Sequence, residues 1–257
     1  MDKPMDALAH SPGLPPVARV ATFQSLHWLE QGWKDFASHP GPSVAHGFIL
    51  VAIGWLLLLM CSTQIDLFAA AVSGFLLVGP LFGAGFYELS RQRASGRRAT
   101  FDASLDGALR NGKALARLGM LLAILVIGWV MISRFLFVQA FGGTLPSVRE
   151  TFYRTILDWD YYEFFLIYFS TGAVFALIAF IVSAVSAPMI FDRAADTKLA
   201  ILTSIKAVGK NPAAMIVWAV LIAGLTIIGF GTFLLGLVII LPVLGHATWH
   251  AYRELIR

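Results

Sequence analysis

The sequence predicts an all-α, polytopic membrane protein with six transmembrane helices paired as three helical hairpins and with amphipathic helices at the cytoplasmic interface. Composition is the first reason. Of 257 residues, 58% are hydrophobic and only 13% are charged, against about 25% charged in a soluble domain, so the apolar side chains have no aqueous surface to withdraw from. Clustering is the second. Apolar runs fall near residues 43–62, 67–88, 117–141, 164–191, 212–230 and 232–250, each able to cross a hydrocarbon core of about 30 Å at about 1.5 Å per residue. The third is where the charge lies. Of the 19 Lys and Arg residues, all except Arg134, Arg149 and Arg154 fall in segments that a six-span layout puts on one side. The positive-inside rule makes that side the cytoplasm and places both termini there, which points to the inner membrane. The net charge of +4 therefore reports orientation in a bilayer, and nucleic acid is not an expected partner.

Residues 1–22 read as a disordered cytoplasmic segment, polar and carrying SPGLPP at 11–16, with residues 23–257 as one membrane domain. The amino terminus lacks the charged stretch, short apolar core and cleavage site of a signal peptide, so the first run is expected to stay as a span. Ahead of the first hairpin (about 43–88), Leu26, Leu29, Trp33 and Phe36 recur at helical spacing, with Glu30, Lys34 and Asp35 off that stripe. Phe101, Leu105, Leu109 and Leu115 precede the second (117–191), and Leu199, Leu202, Ile205 and Val208 the third (212–250). Such segments either lie with their apolar face in the acyl boundary or pack on one another as a cytoplasmic cap. The outward connections are STQID (62–66), a turn at Gly229 and Gly231, and residues 142–163, whose Trp159, Tyr161 and Tyr162 are placed to sit among headgroups. Cys61 has no second cysteine to pair with and reads as a packed thiol near a helix end.

The chain resembles itself. Gly74, Pro80 and Gly83 in the second run match Gly236, Pro242 and Gly245 in the sixth at the same spacing, and Lys34 with Pro40 matches Lys206 with Pro212. Runs three and four make a more diverged copy, with Pro188 late in run four. Three such copies are parallel repeats about an axis along the membrane normal. Pro80 and Pro242 each remove a backbone hydrogen bond and can kink their helices, while Gly83 and Gly245 let helices approach closely.

His246 and His250 are four apart, so they share one helix face, and His46 begins the first span at the same membrane side. The three are candidate ligands for a metal or haem, although His246 and His250 enclose no zinc-protease glutamate. Headgroup-facing histidines beside Trp249 are the simpler reading. Arg134 lies inside the third span near its outer end, where pairing with Asp66 or Asp158 gives it a structural role. Glu88 reads as a solvated or ion-paired helix end. No charged residue sits at mid-membrane, which argues against a proton-coupled pump. The outward Asp158, Asp160 and Glu163 lack a nearby His or Cys, and no phosphate loop, nucleophile elbow or dinucleotide fingerprint is present, so no catalytic residue is assigned.

The strings VSGFLLVGPLFGAGFYELSR (72–91), VSAVSAPMIFDRAADTKLAILTSIKAVGKNPAAM (182–215) and LPVLGHATWHAYREL (241–255) resemble the bacterial integral membrane proteins grouped as domain-of-unknown-function family 2189. The resemblance extends over residues 25–256 and implies a bacterial inner-membrane protein with six spans and no defined reaction. The sequence thus leads to a non-catalytic accessory, assembly or scaffold component, acting on the bilayer or on another membrane complex, without a cofactor. A transporter or channel for a small apolar or zwitterionic solute comes second, and a haem- or metal-binding redox subunit third.

Overall fold

Each apolar run folds as helix, and among the described residues there is no β-strand. The computed structural model describes residues 14–38, 40–61, 63–109, 111–142 and 161–256. The helices in chain order are α1 (Gln24–Ser38), α2 (Pro40–Cys61), α3 (Ile65–Ala94), α4 (Phe101–Leu109), α5 (Gly112–Phe141), α6 (Tyr162–Ser183), α7 (Ser186–Arg193), α8 (Thr197–Lys210), α9 (Pro212–Gly231) and α10 (Leu237–Leu255). Five of these units are long and apolar enough to cross a membrane: α2, α3, α5, α6 with α7, and α9. The sixth run is helical as α10 but is not among the five, and its carboxyl half carries His246, His250, Arg253 and Glu254. Trp159, Asp158 and Asp160 lie outside the described residues.

Local chemistry sets the helix ends. Pro40 and Pro212 open α2 and α9, where the missing N–H has no acceptor to lose. Asp196 caps α8 by accepting the Lys198 N–H at 3.0 Å. Run four is interrupted at Ala184 and Val185, so Pro188 falls in the first turn of α7 and does not kink a continuous helix. The α9–α10 turn also differs from expectation. Gly229 and Gly231 end α9, and the left-handed backbone falls on Phe233 (φ 53°) and Leu234 (φ 68°). Thr232 holds that costly conformation, its hydroxyl donating to the Gly229 carbonyl and accepting the Gly236 N–H, each at 2.8 Å.

The short helices pack largely through small and polar residues and leave several large apolar ones exposed. On α1 the residues turned to the protein are Ser25, Trp28, Gly32, Asp35 and Phe36, whereas Leu26 and Trp33 are 51% and 53% exposed. On α8 the inward residues are Ala200, Thr203, Ser204 and Ala207, with Leu202 and Ile205 exposed; on α4 Ser104 and Gly107 are buried while Leu105 is exposed. Leu115, expected on the second short helix, belongs to α5. Small inward residues let each helix lie close against its neighbour: α4 on α3, α8 on α6 and α7, and α1 on α10. At Gly32 an added Cβ would come 2.6 Å from the Val243 carbonyl of α10.

Three rings meet where α3, α7 and α10 converge. The centroids of Tyr87, Phe191 and Trp249 form a near-equilateral triangle with sides of 6.0, 6.1 and 6.3 Å. All three are buried, and ring pairs at this separation gain roughly 0.5–1.5 kcal/mol beyond area burial. Residues 14–22, expected to be disordered, are held at the same end. Val17 bridges Ile256, the Ala18 N–H donates to Leu255 (2.8 Å), and Asn211 bonds both the Val20 N–H (2.9 Å) and the Ala18 carbonyl (3.0 Å). The low hydrophobicity that suggested disorder is offset by these backbone partners; residues 1–13 lie outside the described part.

Candidate functional site

A buried polar network joins α1, α2, α3 and α10, and its centre is Asp35. The carboxylate is 6% exposed. Oδ2 accepts from the Ser90 hydroxyl at 2.6 Å and from His250 Nε2 at 2.9 Å, and Oδ1 takes the Arg93 guanidinium. Ser90 has one proton, and that proton goes to the carboxylate. The 2.7 Å contact between Ser90 Oγ and His246 Nδ1 therefore needs Nδ1–H as donor, which leaves Nε2 to accept from Ser43 at 2.9 Å. The chain Ser43, His246, Ser90, Asp35 is then satisfied throughout with neutral His246 in a single tautomer.

His46 stands apart from this network. Its Nε2 contacts Ser104 Oγ of α4 at 2.7 Å, and the Phe86 ring lies against both His46 and His246, with centroids 5.5 and 5.7 Å away. The three candidate histidines thus share one end of the bundle but not one coordination sphere. Both nitrogens of His246 are committed to serines, and Nε2 of His250 is committed to Asp35. Among the described residues no group of three His, Cys, Asp or Glu side chains is placed to hold a metal ion.

Burial by itself pushes the Asp35 carboxyl up, but hydrogen bonds from His250 and Ser90 hold it below its ordinary value. The sign follows directly. A carboxyl whose folded pKa is depressed adds stability above its unfolded value of about 3.9, and loses it as pH falls through the lower folded value. The stability difference between the wild type and Asp35→Asn is therefore expected to shrink as pH falls from about 4 through the lowered folded value. Unfolding followed by tryptophan fluorescence against pH measures it; a difference that grows on acidification below about pH 4 would contradict the assignment.

Arg134 and Glu88, singled out in the sequence, also find partners. Arg134 pairs with the buried Asp66 near the start of α3. Glu88 is buried, not solvated: it bonds Arg91 at 2.6 Å and Gln92 at 2.9 Å, and Gly107 of α4 leaves room for it. Pro80 lies within α3 and Pro242 within α10, both in continuous helix. An added Cβ would meet the Tyr87 ring at Gly83 and Phe86 at Gly245, so both glycines make space for aromatic side chains. Asp35 is the residue that sequence reasoning missed. Its signal was present, a carboxylate on the same α1 face as Trp28 and Gly32, but the apolar stripe through Leu26 and Trp33 points to a different packed face.

Residues 67–192, from α3 through α7, match the model of a family described as predicted integral membrane protein, DUF2189. This stretch belongs to that family. The match takes in Ser90 and Arg93 of the polar network and leaves out Asp35, Ser43, His246 and His250, including the GHATWHAYR ending on which the resemblance also drew. No curated protein and no solved structure matches the chain. DUF2189 carries no reaction in its description, so function rests on the chain's own geometry.

Proposed function

We propose that the chain crosses a bacterial inner membrane six times, with both termini in the cytoplasm, as a non-catalytic scaffold or assembly component of a membrane complex. The observation that carries this reading is the use made of buried charge: Asp35 to Arg93 ties α1 to α3, and Asp66 to Arg134 ties α3 to α5. These pairs fix the helices relative to one another, which is what a platform for a partner requires. The six-span layout draws support from α10, whose 19 residues would reach about 28 Å. The repeat reading draws support from the short helices. Each packs on the end of the preceding hairpin, with α1 on α10 closing the ring, and the Tyr87, Phe191 and Trp249 triangle takes one ring from each copy.

Affinity purification of the tagged chain from its native membranes in mild detergent tests the proposal. A stoichiometric co-purifying membrane protein is expected. Recovery of the chain alone in several detergents would overturn the scaffold reading. Transport of a small apolar or zwitterionic solute would then lead, and the observation favouring it is the pair of intramembrane prolines at matching positions of α3 and α10.

A further inference from the structure

We propose that the chain holds an anionic phospholipid at a defined site, with the headgroup phosphate between Arg117 and Lys198 and the acyl chains along Ile201 and Leu202. An open groove of about 360 Å³ lies where α5 and α8 begin, lined by Arg117, Asp196, Thr197, Lys198, Ile201 and Leu202. Its wall sets the charged Arg117, Asp196 and Lys198 beside the aliphatic Ile201 and Leu202, and a phospholipid joins the same two kinds of surface at the headgroup boundary.

Asp196 does not cancel the positive charge. Its Oδ2 accepts the Lys198 N–H at 3.0 Å as the cap of α8, and its Oδ1 accepts from Arg117 at 3.2 Å. The guanidinium keeps further donors, and the Lys198 ammonium has no acidic partner among the described residues, so the groove carries one net positive charge. Thr197 is turned inward, donating to the Ala114 carbonyl at 3.0 Å. The helix terminus is thus occupied by its own residues, and the phosphate is left to the two side-chain cations.

A lipid is favoured over a free anion by what surrounds the groove. Leu202, which lines the groove, and Ile205 next to it on α8 both face outward. Lys206 and Lys210, farther along α8, donate to the Pro15 and Val17 carbonyls of the amino-terminal segment, so Arg117 and Lys198 are the cations that line the groove. A zwitterionic headgroup would set its own cation against Arg117 and Lys198, whereas phosphatidylglycerol adds only hydroxyls. The site is described on one chain and does not depend on a protein partner, so it stands or falls separately from the scaffold reading.

Native mass spectrometry of the detergent-purified full chain, titrated with dioleoyl phosphatidylglycerol or dioleoyl phosphatidylcholine, tests it. The wild type is expected to retain phosphatidylglycerol more tightly, by roughly fivefold for each cation. Arg117→Gln with Lys198→Gln, both exposed and outside the packed faces, is expected to bring retention to the phosphatidylcholine level with an unchanged melting curve. Equal retention of the two lipids by the wild type would overturn the proposal without recourse to any variant. So would an undiminished preference in the double variant, or displacement of phosphatidylglycerol by millimolar inorganic phosphate, which would mark a soluble-anion site.

Discussion

Asp35→Ala lowers the unfolding free energy of the detergent-solubilised protein by about 3 kcal/mol, the lower end of the cost of breaking a buried ion pair. The loss has two sources. Arg93, His250 and Ser90 all lose the acceptor they share, and His246 then has no serine oriented by a carboxylate. The side chains of Arg93 and His250 remain about a third exposed, so water recovers part of their solvation, which is why the upper end of the range is not reached. Asp35→Asn keeps one acceptor oxygen and is expected to lose less than half as much. A double-mutant cycle with Arg93→Ala separates the ion pair from the serine and histidine bonds. The measurement is denaturant unfolding in mild detergent by tryptophan fluorescence. A loss below about 0.5 kcal/mol, the range of an ordinary surface substitution, would mean that the network does not hold α1 to the bundle.

Five of the six apolar runs were legible as membrane-length helices because hydropathy and length decide that with little help from context. The run read as 43–62 is α2 (Pro40–Cys61), the run at 117–141 ends as α5 does, and the run at 212–230 is α9 (Pro212–Gly231). The faces of the short helices were not. Helical spacing groups apolar residues on one face but leaves open which part of that face a neighbouring helix covers. Trp33 and Leu26 stand outward on α1 while Gly32 and Asp35 pack. The partners of the histidines were hidden for a different reason. His46 and His246 both lie against Phe86, but their hydrogen bonds go to Ser104, Ser43 and Ser90, residues whose type and spacing carry no signal. Helix α3 also runs past the expected boundary at residue 88 to Ala94. That extra turn and a half is what brings Ser90 and Arg93 to Asp35.

Gly47→Ala is expected to cost about 2 kcal/mol, as overpacking against a backbone does, and Gly47→Leu to prevent assembly of the bundle. The cause begins with Pro242. In α10 its nitrogen carries no hydrogen, so the carbonyl four residues earlier, at Val238, lacks its usual helical donor. Gly47 of α2 lies against that carbonyl: an added Cβ would come 2.2 Å from the Val238 oxygen and 2.9 Å from its carbon. Backbone atoms have no rotamer by which to move aside, so the whole of α2 must shift away from α10. The absence of a side chain at Gly47 thus lets one backbone cover an oxygen that hydrocarbon would leave unsolvated, a Cα–H to oxygen approach of the kind found between closely packed helices. Pro242→Ala restores an N–H to the Val238 carbonyl and is expected to be mild by itself. It should not rescue Gly47→Ala, because the added methyl still meets the same atoms. Melting temperatures of the two single variants and the double variant, read in one detergent, distinguish these outcomes. Full rescue of Gly47→Ala by Pro242→Ala would show that Pro242, and not the contact volume, sets the distance between α2 and α10.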